Sequence, residues 1–305
     1  MAYHSKKSVD GRADILVATP ILDPTVTSFH CDGLLDIYLN TAHKLQGTKF
    51  KVRFSRHHAF QRDIVRARSR LARQVTESQC NYVLFIDGDN VPNSDALAGM
   101  IRADRDVVAC PYPRREIHPP LTPGDVSTCL RYSYIPFEGA KTDHKECVQI
   151  KGIGFGFILI KREVIEYLTE ACKWKVSPEA VMALNASDVP DPHKDAIRWA
   201  LRNQFVDDFP GNDNKETTAL FSLVNTVDGK MLGEDYSFSA RCFEEGIKIF
   251  MYLGKGSPVE HDGMMRFGQN NSPGVTHDGS DSPLPFIGRV AKTIPEAEEY
   301  RTDDG

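Results

Sequence analysis

The chain has 305 residues, with 42 acidic side chains against 37 Lys and Arg and a formal net charge of −5. That length buries a substantial core, as one large α/β domain or two modest ones, and 41% hydrophobic with 26% charged residues is an ordinary globular composition. The charge leaves no overall electrostatic footprint for nucleic acid, and no apolar run approaches the roughly 18 residues of a membrane span.

Residues 1–13 are a polar lead-in without the apolar core of a signal segment, so the expected location is cytoplasmic. "DILVATP" (14–20) reads as a first strand that ends at Thr19 and Pro20. A helix is expected over 30–45, then a period-two strand over 50–55 carrying Phe50, Val52 and Phe54. Residues 62–79 give the clearest helix, with Ile64, Leu71 and Val75 as its apolar stripe and Ala67 and Ala72 beside it. Arg62, Arg66, Arg70 and Arg73 share another face. They could meet DNA phosphates, or form a solvated face balanced by nearby acids, which is the plainer reading.

Arg68 departs from this pattern. It lies four residues after Ile64 and three before Leu71, inside the apolar stripe, where a guanidinium is costly unless it meets an anion. The partner is either a buried structural carboxylate, or a phosphate or acid of a functional site.

"YVLFI" (82–86) is a buried strand that runs into Asp87, Gly88 and Asp89, and Asn90 and Pro92 then stop it. Asn93 or Ser94 is placed to cap a helix near 94–104. "DVVAC" (106–110) is a further strand, followed by the loop "PYPRREIHPPLTPG". Strand and helix alternate, which implies a parallel sheet covered on both faces. The second half offers a glycine-rich approach from 150, a strand near 156–160 and a helix from about 162. Residues 175–217 read as a long excursion around a helix at 193–204. A helix over 233–246 and a strand over 247–253 follow, and the chain after 263 is rich in Gly, Ser, Pro and Asp.

Ligands of open α/β sheets sit outside the carboxyl ends of the strands, where Asp87 and Asp89 fall. Two carboxylates there suit Mn²⁺ or Mg²⁺, whose shells are completed by water and substrate phosphates; the plain alternative is a solvated loop. On the later helix, Asp235, Phe238 and Cys242 follow an i, i+3, i+7 spacing, so Asp235 heads an apolar face and points toward interior or cleft. Favourable placement of Glu234 and Asp235 at the helix dipole is the competing explanation. His261 in "PVEHDG" is either a surface histidine or a metal ligand. The seven cysteines form no CxxC pair and read as reduced thiols that pack as small hydrophobes.

Taken in order, "ILVATP", "IVRARSRLA", "VLFIDGDNVP", "VVACPYPRR", "IGFGFILIKREV" and "GEDYSFSARCFEEGIKIF…EHDG" resemble the GT-A-fold glycosyltransferases, most of all the family-2-like enzymes of phages, large DNA viruses and bacteria. The resemblance spans 14–263. It implies an α/β fold with a Rossmann-like, mostly parallel sheet, helices on both faces and an irregular acceptor side. Within one catalytic domain, the nucleotide-sugar half would cover about 14–110 and the acceptor half about 111–263, with 264–305 a loose extension. Site roles follow from the same resemblance. Asp87 and Asp89 match the DxD motif, with Asp89 the direct metal ligand, and His261 matches the histidine that completes the metal shell. Glu234 and Asp235 match the ED motif, whose aspartate acts as general base in inverting members. Thr19 and Pro20 match the base-contacting strand end, Arg68 an arginine near the donor phosphates, and Gly154 and Gly156 a glycine-rich strand beside the sugar. Gly88 belongs to the donor-binding loop. Where the family's "ARARN" segment has Asn, this chain has Ser69.

The expected function is therefore transfer of a sugar from a nucleoside-diphosphate sugar, UDP-sugar first, with Mn²⁺ or Mg²⁺. The acceptor is a glycan or a hydroxymethylated base in phage-type DNA, and a phage or viral origin would place the protein in host cytoplasm. The alternatives are a nucleotidyltransferase and a non-catalytic nucleotide-sugar-binding module.

Overall fold

The computed structural model describes residues 3, 11–21, 27–60, 63–117, 130–171, 219–221, 223 and 232–261. The proposed helix at 193–204, the rest of 175–217 and the extension from 264 lie outside the described residues.

The first four strands are β1 (Arg12–Ile21), β2 (Lys51–Phe60), β3 (Tyr82–Ile86) and β4 (Asn90–Val91). They are followed by β5 (Val107–Ala109), β6 (Pro113–Ile117), β7 (Leu130–Tyr132) and β8 (Tyr134–Pro136). The last four are β9 (Cys147–Ile153), β10 (Phe157–Lys161), β11 (Ile249–Tyr252) and β12 (Glu260–His261). The helices are α1 (Ser28–Lys44), α2 (Ile64–Glu77), α3 (Ser94–Ala103), α4 (Arg162–Ala171) and α5 (Glu234–Glu244). A short 3₁₀ turn spans Ala219–Phe221.

Eight strands form one sheet in the order β2-β1-β3-β10-β5-β11-β9-β8. Six of them, β1, β2, β3, β5, β8 and β11, run one way; β9 and β10 run the other. The sheet is thus mostly parallel, as expected, with β9 and β10 its two reversed strands. The buried run "FILIK" of β10 reads identically in either direction, because hydrophobic pattern carries no polarity. β9 was expected only as a glycine-rich approach, since Gly152 and Gly154 interrupt its apolar spacing.

Both faces are buried. Along β1, Leu16 and Ala18 join one core while Ala13, Ile15 and Val17 join the other; β3 splits the same way, Val83 and Phe85 against Tyr82, Leu84 and Ile86. The period of two sends alternate side chains to opposite faces. Helix α2 covers the first face through Ala67, Leu71, Ala72 and Val75, joined by Val164, Ile165 and Leu168 of α4 and Phe238 and Cys242 of α5. Helices α1 and α3 cover the second.

Helix starts follow local side-chain chemistry. Thr27 accepts from the His30 amide at 3.1 Å, Asp63 from Val65 at 2.9 Å and Asn93 from Asp95 at 2.8 Å, so Asn93 is the cap of α3. Helix α5 follows Gly233 and has no side-chain cap; its first turn instead carries Glu234 and Asp235. Among the described cysteines Cys80, Cys110, Cys147 and Cys242 are buried, Cys31 is exposed, and none is in a disulfide. No described helix is long and apolar enough to cross a membrane.

Helix α1 is locked to the loop after β3 by close approach at Gly33. A Cβ there would lie 2.6 Å from the Pro92 carbonyl oxygen and 2.8 Å from its nitrogen. Backbone cannot yield as a flexible side chain can, so the clash outweighs the roughly 1 kcal/mol that Ala gains over Gly in a helix. Gly33→Ala is expected to cost about 1–2 kcal/mol net, read as a lower denaturant midpoint with unchanged slope.

Candidate active site

The centre of the site is Arg68, in the apolar stripe of α2 and only 2% exposed. Its Nη1 donates to Glu234 Oε1 and, at 2.9 Å, to Asp235 Oδ1. Its Nη2 donates to both oxygens of Asp87, at 2.8 and 3.1 Å. The guanidinium carbon lies 5.1 Å from the Phe155 ring centroid. Of the two partners open in the sequence, Arg68 meets acids, and those acids are the candidate site residues themselves. A buried guanidinium left alone would cost several kcal/mol, and its fork geometry suits several carboxylates at once.

Asp87 ends β3, and Gly88 and Asp89 turn the chain so that the Asn90 amide donates to the Asp87 carbonyl at 3.0 Å. Asp87 is partly exposed, at 24% of its side chain. Its own amide donates to the Gly156 carbonyl at 3.2 Å. Asn90 Nδ2 donates to Asp89 Oδ1 at 3.3 Å, and His30 Nδ1 bonds the Asn90 carbonyl at 2.8 Å. The short strand β4 that follows pairs with β12, setting position 261 opposite Asn90. The backbone at 261 therefore stands beside the DxD loop; the side chain of His261 lies outside the described residues.

Asp235 also accepts from the Phe155 amide, at 3.3 Å to Oδ2. Its orientation toward the interior follows the i, i+3, i+7 reading, with Phe238 and Cys242 fully buried on the same face. The helix dipole alone does not account for a carboxylate shared between a guanidinium and the amide of a turn residue, Phe155. Thr19 and Pro20 are buried at the end of β1, and Thr19 Oγ1 has no hydrogen-bond partner among the described residues. The structure thus gathers Arg68, Asp87, Glu234 and Asp235 through hydrogen bonds and ion pairs, with Gly88, Asp89 and Gly156 in the adjoining loops. Gly154 and Gly156 flank Phe155, and a Cβ on either would strike Tyr112, at 2.2 Å from its Oη and 2.5 Å from its ring.

Three contributors escaped the sequence reading: the Phe155 amide on Asp235, the ring of Tyr112 and the His30 imidazole. A main-chain donor has no sequence signature. Tyr112 lies three residues past the carboxyl end of β5, and that position is its one sequence signal. On the arginine face of α2, Arg66 pairs with Asp63 at 3.8 Å and Arg73 with Glu77 at 3.0 Å, while Arg62 lies outside the described residues.

One guanidinium faces three carboxyl groups, and a fourth, Asp89, lies in the loop beside them. Burial raises the Asp87 carboxyl above its ordinary range; Arg68 opposes this, and Asp89 and Asp235 add to it. Burial also lifts Glu234, with Asp235 repulsion behind it, to about 7. Burial would lift Asp235 as well, but Arg68, the Glu234 hydrogen bond and the Phe155 amide outweigh it and hold Asp235 low. Near neutrality the pair's proton therefore sits on Glu234 and Asp235 is ionised.

Among the described residues no three His, Cys, Asp or Glu side chains gather as a metal shell. The DxD loop nevertheless fits a hard divalent ion, because its donors are oxygens and its acids carry surplus negative charge. Both Asp87 oxygens accept from Arg68.

No family model and no curated protein matches this chain. Among solved structures, A197 from STIV is similar over 82% of this chain and 85% of its own, at 14% identity and a TM-score of 0.35. An apo UDP-glucose pyrophosphorylase is similar over 79% and 72%, at 9% identity and 0.31. A glucose-1-phosphate thymidylyltransferase from Bacillus anthracis, so titled and in complex with a sucrose, is similar over 63% and 83%, at 13% and 0.24. Likenesses of this degree assign neither activity nor ligand to the chain.

The pH dependence of stability follows from Glu234. An unfolded glutamate ionises near 4.5, whereas this one, folded, ionises near 7. Between those values the folded chain holds a proton that the unfolded chain has lost. Its stabilising contribution is complete below about 4.5 and is lost as pH rises through about 7. The thermal midpoint is expected to fall between pH 5 and 8, and Glu234→Gln should flatten that fall. Arg68→Met should cost about 3–5 kcal/mol at pH 8, where it strands buried carboxylates, and less at pH 5, as read by denaturant titration at both pH values.

Proposed function

We propose that the chain is a metal-dependent glycosyltransferase that moves a sugar from a nucleoside-diphosphate sugar, a UDP-sugar first, to an acceptor hydroxyl with inversion. The observation that carries this reading is the meeting, on one buried arginine, of the acid that ends β3 with two acids from the first turn of α5. A diphosphate would be repelled by such a cluster, so an anionic donor requires a cation beside it. Asp87 and Asp89, with His261 as third ligand, would hold Mn²⁺ or Mg²⁺, which when bound stabilises charge on the departing diphosphate.

Arg68 keeps Asp235 ionised and oriented. Asp235 takes the proton of the acceptor hydroxyl as its oxygen bonds to the anomeric carbon, and the bond from that carbon to the diphosphate breaks. The nucleoside diphosphate leaves with the bonding electron pair. Glu234 stores a proton beside the base. Thr19 and Pro20 stand at the strand end that the resemblance gives to the nucleotide base, and the buried Thr19 hydroxyl, without a hydrogen-bond partner among the described residues, supports a polar ligand there. The acceptor is a glycan or a hydroxymethylated DNA base; a phage or viral origin would place the enzyme in host cytoplasm.

A donor-hydrolysis screen of UDP- and GDP-sugars with Mn²⁺ separates this reading from its rivals. Release of nucleoside diphosphate supports it, pyrophosphate chemistry indicates a nucleotidyltransferase, and binding without turnover indicates a binding module. Donor affinity, read by calorimetry, should collapse with a chelator; equal affinity would sink the metal assignment. Asp235→Asn should keep donor affinity within a few-fold while transfer drops ~10²-fold or more. Full activity in that variant would move the base elsewhere, Glu234 being first in line.

A further inference from the structure

Glycines at 154 and 156 call for a physical reason, and backbone freedom is not one. The positive-φ glycines of the described residues are Gly11, Gly47, Gly139, Gly246 and Gly256; neither Gly154 nor Gly156 is among them. Space is the reason. A Cβ on Gly154 would lie 2.2 Å from Tyr112 Oη and 2.9 Å from its Cζ, and one on Gly156 would lie 2.5 Å from the Tyr112 ring. Gly154 and Gly156 flank Phe155 at the turn between β9 and β10, and both come against the same tyrosine, so the two glycines make one seat for its ring. Tyr112 is held there, 8% exposed, with the Ser133 amide donating to its carbonyl at 3.3 Å and the Gly154 amide to the Ser133 carbonyl at 2.9 Å.

The seated segment serves both acid groups. The Phe155 amide donates to Asp235, and the Gly156 carbonyl accepts from the Asp87 amide. The Phe155 ring lies beside the Arg68 guanidinium. Three consecutive residues thus touch the acid from α5, the acid from β3 and the arginine that joins them. The Tyr112 ring packs against both glycines that flank Phe155.

We propose that Tyr112 is a positioning residue: its ring holds segment 154–156 in register, and through Phe155 and Gly156 it sets where Asp235 and Asp87 stand. The ring carries this role, with its Cε1 and Cδ1 against Gly156 and its Cζ, bearing Oη, against Gly154. Only the last arm of the test rests on the proposed glycosyltransferase function.

Residue-resolved amide exchange of the full chain decides the structural half. Tyr112→Ala should speed exchange of the Phe155 amide ~10-fold or more while distant core amides keep their protection; Tyr112→Phe should keep it protected. Unchanged protection in the alanine variant, or equal loss in the phenylalanine variant, overturns the proposal. If Tyr112→Ala does not fold, Gly154→Ala supplies the test. It should lower the thermal midpoint more in the wild-type background than in Tyr112→Phe, where the 2.2 Å clash with Oη is gone; equal losses overturn the contact. In donor hydrolysis, Tyr112→Ala should lower kcat about 10²-fold with KM within a few-fold, as for a misplaced acid, and Tyr112→Phe should restore it. Wild-type kcat in a folded Tyr112→Ala overturns the positioning role. If the wild-type chain turns over no nucleotide sugar, the functional reading fails, while exchange and midpoint still decide the role of Tyr112.

Discussion

The rest of the site depends on one buried guanidinium. Arg68 occupies a position in α2 where the packing of the sheet asks for an apolar side chain, and its desolvation must be met by anions held in place. Those anions come from the end of β3 and the first turn of α5, segments far apart in the chain. Arg68 therefore ties helix, strand and helix together through charge, where elsewhere the same elements meet through Leu71, Phe85 and Phe238. The tie is not symmetric. One positive charge cannot neutralise three carboxylates, and the remainder appears as a proton retained by Glu234 and an upward pressure on Asp87.

That imbalance links stability to function. A purely structural ion pair would settle near neutrality, and a surplus of buried acids costs the folded state at high pH. Such a cost persists where chemistry uses it. The surplus divides the two acids of α5 into an ionised aspartate and a glutamate that holds a proton. Opposed shifts in neighbouring carboxyls are the pattern of acid and base roles assigned by environment.

The sheet topology makes the meeting possible. Insertion of the reversed strand β10 between β3 and β5 brings residues 154–156 back to the carboxyl end of β3. Had β10 run parallel, its approach would have entered at the opposite edge, and the Phe155 amide could not reach Asp235. The pairing of β12 with β4 likewise returns the chain to the DxD loop. The same strand ends carry the Tyr112 ring, which fills the space left by two glycines.

Much of this was legible in the residues. The strand 82–86 and the helices that begin near 64, 94 and 234 follow from hydrophobic period and capping chemistry, which are local properties. Arg68 announced itself as an anomaly, because a charge in an apolar stripe is visible without coordinates. The inward placement of Asp235 followed from its spacing to Phe238 and Cys242. Other features were not legible. The reversal of β9 and β10, the opposition of Asn90 and position 261, and the seat of Tyr112 on Gly154 and Gly156 are relations between segments. The identity of the three acids that share Arg68 belongs with them, since an anomalous charge shows that a partner exists without showing which one. Amino-acid order by itself determined the elements, their buried faces and the residues that could not be inert. Strand direction and side-chain partnership were decided only by tertiary packing, because hydrophobic burial is non-directional and a hydrogen bond depends on distances that sequence separation does not encode.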